Sequence, residues 1–484
     1  MSHISTHPLW GSLALNRSGG SSMQDQIVQF FRTAILSGTL KGGRKVPSSR
    51  RLSTEHGISR TTAVEAYARL AAEGYLTPRP GAGLFVSAAL PEDYLMRAAS
   101  RAQAPPAASG VSLPPPNEPD AAADTSALAP WIPALDQFPW KDWARLTAQV
   151  NRERPIDVLG YGDPRGERAL RQAIAEYLAL ARGVSCTADQ IIVIGSSKQG
   201  VDMALRAAAA PGDKVWIEEP GHSVERDIID GAGRIPVPVP VDRAGIDVSE
   251  ALRQAPEARL AIVSPAHQFP LGYTLGLDRR LALLSWAESS GAYVVENDHD
   301  GEYRYAGKPL PPLHTLDRTG RVIYIGSLSN ILAPGLRMAY LVAPPKLVDA
   351  FLVMRASLAP LPIQLVLARF ISGGRLSAHL RRMRGLYAQR RSDLIDALKQ
   401  EARDVLEVVV APEAGMHLVV TLRRQIDDVA AVRRCRDNGV FVYPLSSCYA
   451  TSKRRSGFIV GFASTRPEKI RPSVRTLADI IRAS

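Results

Sequence analysis

Within residues 24–36 the apolar residues Ile27, Phe30, Phe31, Ala34 and Ile35 recur three and four apart, which predicts a helix with one buried face. A second helix is predicted after Pro47, capped by Ser48 or Ser49 and ended by Gly57, and a third from Ser59 to Gly74. Two short helices around a tight turn at Gly57 and Ile58 make a helix-turn-helix. The stretch GYLTPRPGAGLFV, residues 74–86, reads as two short strands joined by a Pro- and Gly-rich turn, a wing. Farther on, apolar runs at 190–194, 214–217, 260–263, 293–296 and 322–325 alternate with longer amphipathic patterns. That alternation predicts an α/β domain with a mostly parallel sheet. From about Ser377 the pattern becomes helix-rich and then mixed, as expected of a smaller C-terminal subdomain. No repeat of fixed period is present.

Composition separates these regions. Residues 98–130 are an Ala, Pro and Ser mixture with almost no large apolar side chain, which reads as a semi-stiff linker. The expected organisation of the 484 residues is a DNA-binding domain at 1–90, a linker at 91–130 and a large domain at 131–484. The formal charge of +12 favours a polyanionic partner, and residues 24–90 hold nine Lys or Arg against four Asp or Glu, a local +5. Cys186, Cys435 and Cys448 are too few and too scattered for a disulfide framework or zinc cluster and read as buried small residues. With no signal-peptide pattern and no apolar run long enough to span a bilayer, a cytoplasmic location is expected.

A helix-turn-helix presents the N-terminal residues of its second helix to base edges in the major groove, here Arg60, Thr61 and Thr62. Arginine bonds guanine bidentately, and threonine offers a hydroxyl and a methyl. Arg50, at the start of the preceding helix, is placed for phosphate, as is Arg79 on the wing. The block VPSSRRLSTEHGISRTTAVEAYARLAAEGYLTPRPGAGLFV resembles the GntR-type winged helix. The resemblance implies DNA contacts by Arg50, Arg60, Thr61 and Thr62 and by the wing from Arg79 through Gly81 to Gly83.

The landmarks YGDPRGERALRQAIAEYL, IVIGSSKQG, EEPGH, VSPAHQFPLG, ENDHDGEYRY and VIYIGSLSNILAPGLRMAYL extend the likeness. Together they resemble the MocR subfamily, whose members join a GntR-type winged helix to a fold type I aminotransferase domain. The resemblance implies an effector sensed through pyridoxal phosphate, a double-stranded DNA operator and a head-to-tail homodimer. Two departures alter that expectation. Where the family has a lysine after Ser-x-Ser, this chain has Asn330 after Ser327 and Ser329. An amide nitrogen, its lone pair delocalised, performs neither the condensation nor the proton transfer of an amine. Where the family has an Asp that pairs with the pyridinium nitrogen, this chain has neutral Asn297; His299 replaces the adjoining Tyr, and His222 stands in EEPGH at the position of a ring-stacking Tyr.

Other parts of the cofactor cup match. Arg337 corresponds to the phosphate-anchoring arginine, and Gly195, Ser196, Ser197 and Lys198 form a strand-to-helix turn suited to an anion. Lys198 either adds charge to that cup or offers a substitute amine. His267 and Gln268 either line the cleft or form a structural turn, and His222 and His299 are either ligand contacts or satisfied polar residues. The expectation is a catalytically inactive sensor with no metal and no covalent cofactor. Pyridoxal phosphate would bind only non-covalently, and the effector would be anionic or an amino compound. The alternatives are a Schiff base through another amine and a large domain that only dimerises.

Overall fold

The computed structural model describes residues 13–16, 21–88, 127–153, 156, 159–305, 311–354, 360–410, 414–451 and 454–484. Tertiary contacts divide the chain into two units, residues 1–115 and 116–484.

In the small unit, α1 (Met23–Leu36), α2 (Ser49–His56) and α3 (Arg60–Ala72) precede β1 (Leu76–Arg79) and β2 (Gly83–Val86). Ser22, Ser48 and Ser59 cap the three helices by accepting backbone N–H bonds, and Gly57 ends α2 in the left-handed region at φ 60°. Ile27, Phe31 and Ile35 are buried as the spacing requires, Val28 joins them, and Phe30 is only half-buried. This face packs on Leu52, Ala63, Tyr67 and Leu70 to make a core of its own. The strands pair antiparallel, Leu76 opposite Val86, as the predicted wing.

The large unit opens with α4 (Trp140–Glu153), α5 (Arg168–Arg182), β3 (Ile191–Ile194), α6 (Ser197–Ala208), β4 (Lys214–Glu219) and α7 (Ser223–Gly231). It continues through β5 (Ile235–Asp242), β6 (Gly245–Ile246), α8 (Val248–Gln254), β7 (Leu260–Val263), α9 (Leu277–Ser290), β8 (Tyr293–Asp298) and β9 (Val322–Ser327). Next come α10 (Leu328–Ile331), β10 (Ala339–Val342), α11 (Val348–Val353), α12 (Leu361–Ser372) and α13 (Arg375–Glu401). The end of the chain is β11 (Leu406–Val410), β12 (His417–Leu422), α14 (Asp428–Asp437), β13 (Tyr443–Pro444), β14 (Gly457–Gly461) and α15 (Pro467–Arg482).

Eight strands form the main sheet in the order β3-β10-β9-β8-β7-β4-β5-β6. The run from β9 to β5 is parallel, and β10 lies antiparallel to both its neighbours. All five predicted apolar runs are strands of this sheet. Ile191 and Val193 face one hydrophobic cluster while Ile192 and Ile194 face another, so both faces are buried, as an unbroken apolar strand demands. The predicted C-terminal subdomain is carried by α13 and a four-stranded antiparallel sheet, β11-β12-β14-β13.

The expected linker ends earlier than Pro130. Residues 91–126 of it lie outside the described residues, but 127–130 are packed into the large unit. Leu128, at φ 66°, is fully buried; its N–H donates to Thr465 Oγ1 at 2.8 Å and its carbonyl accepts from Gly461. A small apolar residue beside Leu128 hides this packing from composition alone.

Candidate functional site

The charge on the small unit is distributed unevenly. Of the nine basic residues at 24–90, Arg32, Arg51 and Arg69 are tied to Glu73, Glu55 and Asp25. Lys41, Arg44, Lys45, Arg50, Arg60 and Arg79 are exposed and make no ion pair among the described residues, so three of four acids are neutralised internally and the outer surface is basic. Thr61 is exposed beside Arg60 at the start of α3. Thr62, half-buried, also serves the helix cap: its hydroxyl lies 2.8 Å from Ser59 Oγ and its N–H donates to the same atom. On the wing, Gly81 at φ 72° and Gly83 at φ 105° supply a backbone that L side chains resist, and the Arg79 guanidinium stacks 4.5 Å from the Phe85 ring. Lys45, also over Phe85, belongs to this surface; no helical period marked it in the sequence.

In the large unit, a cavity of about 280 Å³ opens at the carboxyl ends of the parallel strands. Its walls follow successive strands: Ser197 and Lys198 after β3, His222 after β4, His267 after β7, His299 after β8 and Asn330 after β9. The small subdomain closes the other side with His417 from β12 and Tyr443 from β13, and Trp131 joins them. Phe269 gives an aromatic wall, its ring stacked on His222 at 3.8 Å and 10°. His222 and His299 rings lie 4.8 Å apart, and His267 and His417 rings 5.4 Å apart.

Four of the chain's nine histidines thus face one cavity, and each retains a buried ring nitrogen without a hydrogen-bond partner: Nε2 of His222, His267 and His299, and Nδ1 of His417. Burial holds His222 well below its ordinary pKa, lowers His299, and brings His417 to about 4. His417 Nε2 donates to the Pro270 carbonyl at 3.0 Å, which leaves Nδ1 as an acceptor. Burial opposes ionisation of Asp300, but the His267 imidazole 3.0 Å away outweighs it and holds the carboxyl at about 2. Desolvation, then the charge of Arg337, lowers the Lys198 amine. The cavity therefore presents a carboxylate, neutral imidazole acceptors and an amine between aromatic walls. No cluster of metal-ligating groups occurs among the described residues.

Several expected contacts are used internally. Gln268 is used within the turn: its Nε2 donates to the Pro220 and Phe269 carbonyls and its Oε1 accepts from Leu271 N–H. Gly195 N–H is bound by Gln199 Oε1 at 2.8 Å, and Ser196 Oγ caps α6. Ser327 Oγ accepts from Asn330 N–H, and Ser329 Oγ bonds both backbone groups of Met338. Of the expected anion cup, Ser197 and Lys198 line the cavity, and the exposed Arg337, at φ 48°, lies near Lys198. Asn297 is buried off the wall; its Nδ2 donates to Glu225 Oε1 at 2.7 Å and its Oδ1 has no partner. Burial raises Glu225 to about 7. Sequence reasoning missed Trp131, Asp300, Phe269, His417 and Tyr443, although Phe269 and Asp300 sit inside the quoted landmarks.

Two family models match the chain: bacterial regulatory proteins of the gntR family over residues 23–86, and aminotransferase class I and II over residues 133–477. It is 36% identical over 470 residues to a probable rhizopine catabolism regulatory protein, MocR, of Rhizobium meliloti, covering 96% of this chain and 95% of that one. The chain belongs to the MocR subfamily of GntR-type transcriptional regulators. Another relative of this MocR-type chain is the pyridoxine biosynthesis transcriptional regulator PdxR of Corynebacterium glutamicum, 32% identical over 97% of this chain and 98% of that one. The large unit is similar in fold to a kynurenine aminotransferase of Pyrococcus horikoshii, with TM-score 0.68 and 28% identity over 74% of this chain and 91% of that one. As a MocR-type regulator the protein binds DNA and carries an aminotransferase-like unit. Among the described residues no helix is long and apolar enough to cross a membrane.

Proposed function

We propose that the aminotransferase-like unit is a sensor that holds a small ligand without a covalent bond, and that it is not an enzyme. One observation carries this reading: Asn330, a carboxamide, lines the cavity where the subfamily has the lysine, and its Nδ2 is directed to the His299 carbonyl at 3.5 Å. Pyridoxal phosphate supplies an electron-withdrawing ring when bound, but the donor set here does not fit its covalent attachment. The unpartnered ring nitrogens of His222, His299 and His417 instead suit hydrogen-bond donors on a ligand held non-covalently. Asp300 and the lone pairs of the imidazoles favour an amino group, while Ser197 and Lys198 favour an anionic arm. Ligand shifts a head-to-tail homodimer between arrangements of its winged helices, and so alters the half-site spacing it matches on its operator. The organisation proposed with it is a DNA-binding domain through residue 90, a linker to 126, and the sensor beyond, in the cytoplasm.

Thermal unfolding with pyridoxal phosphate, amino acids and anionic metabolites, followed by borohydride reduction and mass analysis, tests the reading. The expected result is stabilisation without a reduced adduct. A borohydride-fixed adduct overturns it, and a panel with no stabilising compound leaves the large unit as a dimerisation scaffold. One second reading has an observation of its own: Lys198 shares the cavity with Asn330 and its amine is lowered, the direction that favours a nucleophile. An adduct mapped to Lys198 would establish it.

A further inference from the structure

The basic character of this regulator is not centred on its winged helix. Residues 375–484 hold 21 Lys or Arg against 11 Asp or Glu, a net +10, while residues 91–374 hold 28 against 32, a net −4. The small C-terminal subdomain thus carries twice the surplus of the DNA-binding segment. Part of it is consumed locally, since Arg471 and Arg475 share Glu401 and Arg482 pairs with Asp404 and Asp479. A separate group lies at one end of the four-stranded sheet. Thr421 pairs with Gly457, and Leu422 N–H donates to the Ser456 carbonyl at 3.2 Å, so Arg423 and Arg424 leave β12 beside Arg454 and Arg455 entering β14. Arg403 completes the group: its carbonyl accepts from Arg423 Nε at 2.8 Å. All five are exposed. The acids nearby are Asp404, already paired with Arg482, Glu407, 3.9 Å from Arg423, and Asp427, whose carboxylate caps α14. Arg424, Arg454 and Arg455 make no ion pair among the described residues.

We propose that this arginine-rich sheet end is a second DNA-binding surface, which holds phosphates of the duplex flanking the operator. Guanidinium groups match phosphate oxygens bidentately and are weakly hydrated, so an arginine cluster suits a phosphate backbone better than lysines do. Duplex DNA is the polyanion this chain already holds through its winged helix. A second site on the same polypeptide meets that duplex at high effective concentration, where individually weak phosphate contacts become populated. The surface carries no base-reading geometry, so its contribution is affinity and salt dependence without sequence preference.

The test uses the full-length protein, DNA from its own upstream region and the surface variant Arg424→Gln/Arg454→Gln/Arg455→Gln. Affinity is measured against salt on a short duplex confined to the footprint of the winged helix and on one extended at both sides. The wild type is expected to show a steeper salt slope on the longer duplex. The variant should lose about 0.9 of slope per phosphate contact, hence about 3 in all, on the longer duplex alone. An unchanged melting temperature shows that the variant is folded, and Arg60→Ala, which weakens the winged-helix contact on both duplexes alike, separates failure of the operator contact from failure of the flanking one. Equal wild-type slopes on both duplexes overturn the proposal, as does a folded variant with wild-type affinity and slope on the longer one. Wild-type DNA binding with lost binding to anionic lipid vesicles would also overturn it, in favour of a membrane.

Discussion

Arg60, Thr61 and Thr62 are adjacent in sequence but have different duties in the structure. Arg60 and Thr61 are exposed, whereas Thr62 closes the Ser59 cap. Arg60→Ala is therefore expected to weaken operator binding by about 1–3 kcal/mol and to relax preference at one base pair, measured by anisotropy on operator variants. Thr62→Ala should act first on the stability of the small unit, read by its melting temperature. A parallel contrast separates His267 from Gln268. Gln268→Ala leaves the Pro220 carbonyl and Leu271 N–H without their partner and should lower stability by about 1–3 kcal/mol in denaturant titration. Such residue-level duties were legible only where a motif named the position. Asn330 and Asn297 stood out because they break a pattern. Hydrogen bonds that consume Gln268, Ser196 and Ser329 depend on backbone groups far along the chain, which no local spacing reveals.

At the scale of elements, the strands with unbroken apolar runs were legible because burial on both faces leaves nothing polar to interrupt them. β5 was not, since its sequence IPVPVPVD reads against a strand. The structure accommodates it because only alternate residues of a strand bond a given parallel neighbour. Pro236, Pro238 and Pro240 share one phase of that alternation, and only the two-residue β6 lies beyond β5. β12 places His417 against the cavity with consequences for pH. Its imidazole has an ordinary pKa of 6.5 and is lowered to about 4 by burial and by His267. The folded state thus prefers the neutral ring. Its contribution to stability is present above pH 6.5 and is lost as the pH falls from 6.5 through 4. The size is about 3 kcal/mol at most. His222 and His299, lowered in the same direction, act with the same sign. His417→Gln should flatten the decline in melting temperature over that pH range, and an unchanged decline would assign it to other groups.

For the molecule as a whole, two units with separate hydrophobic cores predict two calorimetric transitions. DNA should raise the transition of the winged helix, and a cavity ligand that of the large unit. A ligand that raises both would report coupling between them directly. Residues 127–130, where the described chain resumes after the winged helix, are pinned by Thr465 and Gly461, and the next residue, Trp131, at φ 64°, is a wall of the cavity. Leu128 and Trp131 hold left-handed conformations that non-glycine residues adopt only when their surroundings enforce them. The pinned segment and the cavity wall are therefore one stretch of backbone. If the large unit senses a ligand as proposed, a molecule that displaces the Trp131 ring bears on this same backbone, and Trp131→Ala should remove the effect of that ligand on operator affinity, measured by anisotropy.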